Sequence, residues 1–133
     1  MVVLKEVTDK DFRRICERHG GKYEAGICTL PTSNGKLRLQ IRKTDDGDKY
    51  YAEISSEEMF DRYDLSTHGY FMSCHITEDS PDKSRIVCRT MYLGKDPMGE
   101  PITDINGMFE VTLFDKTLYL LSTANTVGRF DLK

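Results

Sequence analysis

Along residues 36–43 apolar and polar positions alternate without a break: Leu37, Leu39 and Ile41 stand between Lys36, Arg38, Gln40 and Arg42. A period of two puts the aliphatic side chains on one face of a strand and the polar ones on the other. One face is therefore expected in a core and one in water. Runs at 23–30 and 49–54 flank this strand. Asn34-Gly35 and Asp46-Gly47 separate the three, and both pairs suit turns whose residues need positive φ. The spacing predicts a three-strand meander. Further along, 69–77 and 85–93 read as a hairpin through Ser80-Pro81-Asp82. Met108 to Phe114 and Thr117 to Ser122 read as another across Asp115-Lys116, and 127–132 as a last strand. Residues 94–107 hold two of the four prolines and read as irregular.

Two segments break the period of two. Phe12, Ile15, Cys16 and His19 recur at helical spacing, with Thr8 placed to cap the first turn and Asp9 and Asp11 suited to its positive end. Val7 and Phe12 form a hydrophobic staple, and Gly20-Gly21 is a helix stop. Ser55 with Glu58 makes a capping box, predicting a second, short helix whose inner face is Met59, Phe60 and Tyr63. The fold class expected is α+β: a mainly antiparallel sheet of about six to eight strands. An N-terminal helix and a short second helix pack on it.

Composition narrows the class. A chain of 133 residues, 38% hydrophobic and 31% charged, is expected to be one globular domain over 1–133. No stretch approaches the roughly 20 apolar residues of a membrane span. The opening residues have too short an apolar run for a secretory leader, so a cytoplasmic location is expected. The cysteines, Cys16, Cys28, Cys74 and Cys88, contain no Cys-x-x-Cys pair. In that setting they are expected as reduced, buried thiols. If Pro81 centres its hairpin, Cys74 and Cys88 face each other across the two strands.

Candidate chemistry is sparse. No Walker pattern, Gly-x-Gly-x-x-Gly or Gly-x-Ser-x-Gly occurs, so no phosphate loop or nucleophile elbow is expected. A metal would need His68, His75, Cys74 or Cys88. Cys74 and His75 are strand neighbours that point to opposite faces, so no metal or cofactor is expected. Cys74 instead reads as a core residue beside Tyr70, Met72 and Ile76. A cysteine nucleophile would be Cys16, Cys28 or Cys88 with a histidine, but thiols inside apolar segments are inert. Glu57 and Asp61 lie on a helix's outer face, where carboxylates make poor general acids. No catalytic residue is named, and the question of an enzyme stays open.

Charge carries the remaining signal. Residues 1–43 have a net charge of +5, 44–64 of −6 and 65–133 of −2. The leading expectation is a non-catalytic protein-interaction module, small and acidic in the manner of inhibitors and immunity proteins, an analogy of class that rests on no motif. Its binding face would be acidic: Asp45, Asp46 and Asp48 in a turn, with Glu57, Asp61 and Asp64 in a row on the second helix. The partner would be a protein with a basic surface. The first alternative is an RNA-binding domain using Lys10, Arg14 and Arg18 on the helix with Lys36, Arg38 and Arg42 on the strand. Such a platform needs aromatics for base stacking. Tyr50 and Tyr51 point to opposite faces of the neighbouring strand, so one of them is available. The second alternative is a small-molecule or nucleotide binder, or an enzyme, with a cleft between sheet and helices.

Overall fold

The structure is a computed structural model. It describes residues 5–33, 35–56, 67–89, 94, 95, 97–99, 101, 102, 107–122 and 126–133; for 67, 68, 94, 95, 101, 102, 126 and 127 it describes the backbone alone. In chain order the elements are β1 (Lys5–Glu6), α1 (Asp9–Arg18), β2 (Lys22–Glu24), β3 (Ile27–Thr32), β4 (Gly35–Lys43), β5 (Tyr50–Ser56), β6 (Thr67–Phe71) and β7 (Ser73–Asp79). There follow β8 (Lys83–Arg89), β9 (Gly94–Lys95), β10 (Pro101–Ile102), β11 (Met108–Phe114), β12 (Thr117–Ser122) and β13 (Thr126–Asp131).

Every pairing is antiparallel. One sheet has five strands in the order β2-β3-β4-β5-β6, and the other six in the order β1-β7-β8-β11-β12-β13; β9 and β10 form a separate ribbon. Two seams join the large sheets. β6 runs into β7 through a bend at Met72, whose N–H donates to Arg89 O at 3.0 Å. At the other side Thr32 bridges Leu132, and Ser33 N donates to Asp131 O at 3.0 Å. The two inner faces share one core, with Leu30, Leu37, Leu39 and Ile54 from one sheet and Ile86, Phe109, Leu113, Leu118 and Leu120 from the other. The result is a sandwich closed at both seams, with antiparallel sheets whose polar residues alternate outward.

α1 forms where the spacing predicts. Thr8 Oγ1 accepts from Asp11 N at 3.1 Å and donates to Asp11 Oδ2 at 2.7 Å. Gly20 takes the left-handed conformation, φ 87°. Gly21 N then reaches back to Cys16 O and Gly20 N to Glu17 O, at 2.8 and 3.1 Å, the double bond that closes a helix C-terminus. In the chain α1 lies between β1, on the free edge of β7, and β2, on the free edge of β3. It thus crosses from one sheet to the other and contributes Phe12, Ile15 and Cys16 to the shared core.

Several expectations need correction. The strands exceed six to eight, because runs read as single strands are cut. Tyr23 to Leu30 turns back at Ala25-Gly26, both at positive φ, and alanine gives no turn signal. The run 69–77 bends at Met72 and changes sheet, which shifts the inward phase by one residue: Phe71 is buried before the bend and Cys74 after it. Tyr70 and Met72 therefore face water rather than joining Cys74 in the core. The second helix is not matched at its start, since Ser55 and Ser56 belong to β5 and pair with Arg38 and Leu37. Its remaining positions, with Glu57, Asp61 and Asp64, lie outside the described residues.

The cysteines are not reduced thiols. Cys16 is bonded to Cys28, and Cys74 to Cys88, leaving none free. The facing of Cys74 and Cys88 is as expected, though Pro81 does not produce it. The turn between β7 and β8 is centred between Pro81 and Asp82, since Ser80 and Lys83 exchange backbone hydrogen bonds. Asp79 pairs with Ser84 and Glu78 with Arg85; carried on unbroken, that register would set Cys74 against Arg89. A bulge at Thr77 takes up one residue and moves Cys74 opposite Cys88.

Candidate functional site

The outer face of the five-stranded sheet collects what the sequence scatters. β4 presents Lys36, Arg38, Gln40 and Arg42 outward, as its alternation requires. On β5 the register pairs Arg42 with Tyr51 and Gln40 with Glu53. Tyr50 faces inward, and its hydroxyl donates to Glu6 Oε1. Tyr51 is therefore the tyrosine that shares the basic face. β6 sets Tyr70 directly opposite Tyr51. The two rings lie 5.4 Å apart and tilted by 56°, and the Arg42 guanidinium carbon stands 5.5 Å from the Tyr51 ring centre. Such contacts between rings and between ring and cation are attractive.

A cleft of about 520 Å³ opens at this corner, lined by Arg42, Thr44, Asp45, Asp46, Lys49, Tyr51 and Tyr70. The β4–β5 turn builds its far wall. Thr44 N donates to Lys49 O and Gly47 N to Thr44 O, at 2.9 and 2.8 Å. Asp46 is a turn residue first: Thr44 Oγ1 donates to its carboxylate, and Asp48 N donates to the same oxygen at 3.0 Å. These bonds, the one from Thr44 foremost, hold the Asp46 carboxyl below its ordinary pKa, so it is charged at neutral pH. Asp45 and Asp48 are exposed beside it. Tyr51 donates to Glu53 Oε2; that bond, then burial, raises its phenol to about 12. The Tyr70 ring is 60% exposed.

The other basic row has a different surrounding. Arg14 bonds Asp11 Oδ1 at 2.8 Å and also Asp79. Arg18 bonds the other Asp79 oxygen at 2.5 Å and Ser80 O at 3.0 Å. With Lys5 on Asp11 at 3.1 Å, these ion pairs fasten α1 to the β7–β8 hairpin. Lys10 is exposed on α1. Arg14 and Arg18 are thus held by carboxylates of the chain itself. Among the described residues, Lys36, Arg38 and Arg42 make no ion pair.

A second cleft, about 390 Å³, lies between the start of α1 and the end of β4, and Glu6, Lys43 and Tyr50 line it. Its polar groups satisfy one another: Glu6 accepts from Lys43 at 2.8 Å and from the Tyr50 hydroxyl. Among the described residues no group of three His, Cys, Asp or Glu side chains is placed to hold a metal ion. No helix among them is long and apolar enough to cross a membrane.

Tyr70 is the residue that sequence reasoning missed. A tyrosine two before Met72 and four before Cys74 reads as core under an unbroken alternation, and only the change of sheet at Met72 turns it outward. Neither glycine nor proline stands at Met72 to mark the bend in the sequence. No family model, no curated protein and no solved structure matches this chain.

Proposed function

We propose that this chain is a non-catalytic binding module that docks another protein on the Tyr51–Tyr70 corner of the five-stranded sheet. The observation that carries the reading is the paired phenol rings beside Arg42, with Tyr70 open to water. Tyrosine and arginine anchor protein interfaces because they bury much surface for little lost rotamer freedom. Their hydroxyl and guanidinium groups also tolerate a wet rim. The surrounding charges favour a protein partner over a polyanion. Arg42 and Lys49 stand against Asp45 and Asp46 in the cleft, and Glu53 lies next to Arg38 and Arg42 on the open face. A nucleic-acid strand gains affinity from uncompensated cations, and each of these carboxylates opposes it. The partner that fits carries both signs, with basic groups for Asp45, Asp46 and Asp48 and acidic groups for Arg42 and Arg38. Action by occlusion, as in small inhibitors, is the form such binding takes.

A second reading keeps one specific support: Tyr51 stacks on the same face as Lys36, Arg38 and Arg42, as a single-strand RNA platform would require. One set of measurements separates the two. A photo-crosslinking residue at position 70 should trap one protein in the native setting, and the same residue at the exposed Tyr119, on the other sheet, should not. Arg42→Glu should abolish the trap. Oligonucleotide anisotropy on the wild type should stay flat. Salt-dependent oligonucleotide binding lost in Arg42→Glu would overturn the protein reading in favour of RNA.

A further inference from the structure

We infer that this chain folds and works in an oxidising compartment, with both cross-links as permanent parts of the fold. The inference is independent of the docking face. It begins from the count: four cysteines, all four bonded, in two pairs 12 and 14 residues apart. Each sulfur lies in the apolar core, no cysteine being more than 1% exposed.

Separate features of the backbone serve each pair. For Cys74 and Cys88 it is the bulge at Thr77, without which Arg89 would stand opposite Cys74. Cys74 O accepts from Val7 N of the chain following β1. Its backbone groups thus point away from β8, leaving a close, non-hydrogen-bonded pair in which side chains approach each other. For Cys16 and Cys28 the feature is Gly21. A Cβ there would stand 2.6 Å from Cys16 Sγ, 2.9 Å from Cys28 Sγ and 2.9 Å from Leu30 Cδ2. No larger residue fits beside the bridge. Both arrangements hold the sulfurs of a pair side by side in the core. Disulfides persist where the surroundings are oxidising and are rare where glutathione and thioredoxin keep thiols reduced. This reading replaces the cytoplasmic location expected from the sequence.

The chemistry is thiol–disulfide exchange with a carrier disulfide, protein or small molecule. One cysteine thiolate attacks a carrier sulfur, forming a mixed disulfide and releasing one carrier thiolate. The second cysteine thiolate then attacks its partner's sulfur in that mixed disulfide and expels the other carrier thiolate. Per bridge, two thiols of the chain lose two protons and two electrons, and the carrier disulfide becomes two thiols. Once the core closes over the bridge, an external thiolate cannot reach either sulfur.

The test uses protein isolated from its natural source, with excess alkylating reagent present at harvest. Intact mass should be four hydrogens below the fully reduced chain, with no alkyl group added. Peptide mapping should link Cys16 to Cys28 and Cys74 to Cys88. In native buffer, glutathione should leave both bridges intact; with denaturant present, all four cysteines should become alkylatable. Alkylation of any cysteine at harvest, a different pairing, or reduction of either bridge by glutathione without denaturant would overturn the inference.

Discussion

Two rows of basic side chains look alike in the sequence and differ in the folded chain. Arg14 and Arg18 on α1 are drawn into a chain of ion pairs, Lys5–Asp11–Arg14–Asp79–Arg18, that ties helix to hairpin. Lys36, Arg38 and Arg42 on β4 meet no carboxylate in an ion pair among the described residues, and Arg42 rests on an aromatic ring instead. The difference comes from geometry that charge spacing does not carry. Asp79 lies 65 positions beyond Arg14, and only the six-stranded sheet sets it beside the helix. A cation that has found a distant carboxylate serves the fold.

The largest expected effect tests whether α1 is part of the core or an appendage bearing charge. Phe12 is fully buried and its ring meets Tyr23 edge to face at 5.6 Å. Phe12→Ala should cost about 3–5 kcal/mol, read by chemical denaturation. A loss under about 1 kcal/mol would mean that the helix lies loosely on the sandwich, and the contrast between the two rows would lose its basis.

A smaller effect, and a pH-dependent one, belongs to Asp11. Its carboxylate is buried and accepts from Thr8, Arg14 and Lys5. The hydrogen bond from Thr8 leads, and together these partners outweigh burial and hold the carboxyl far below its ordinary value. Asp79 is lowered too: burial pushes it up, but its bonds from Arg18 and Arg14 prevail. For a carboxyl depressed on folding, the stabilisation is present above the unfolded pKa near 4 and is lost as pH falls below it. Asp11→Asn should cost about 1–3 kcal/mol at neutral pH. It should also flatten the fall of the thermal midpoint between about pH 4 and pH 2. An unchanged acid limb in the variant would show that other carboxylates drive the transition.

What the sequence made legible follows the range of the interactions involved. The Thr8 cap, the Gly20-Gly21 stop, the β4 alternation and the Asp115-Lys116 turn are written within a few residues, and each is found where expected. The failures have longer reach. The exposure of Tyr70 depends on which sheet β7 joins. The Cys74–Cys88 bond depends on a one-residue bulge, and the capture of Arg18 on a hairpin some sixty residues away. Ser55 satisfies a local cap rule yet lies in β5 and pairs with Arg38 of β4, a case of tertiary pairing overriding local preference. The face that carries the candidate site is half legible: β4's charges are local, whereas the aromatic pair is assembled by strand register.

The smallest effect on stability should accompany the largest on binding, and it comes from the β4 row. Lys36, Arg38 and Arg42 point away from Leu37, Leu39 and Ile41, and exposed charges contribute little to folding. Changing all three to Gln should shift stability by no more than about 0.5 kcal/mol, most of it from the Arg42–Tyr51 contact. The same triple change on Lys10, Arg14 and Arg18 should destabilise more, because it strands Asp79 and removes one partner of buried Asp11. If the Tyr51–Tyr70 corner docks a protein, the β4 variant should keep its fold while dissociation speeds up, and the α1 variant should keep the affinity of whatever fraction remains folded. Equal destabilisation by the two triple changes would dissolve the distinction between them. Equal loss of affinity in folded material would instead place α1 in the docking face, and the ion pairs that now look structural would then be broken or shared when the partner arrives.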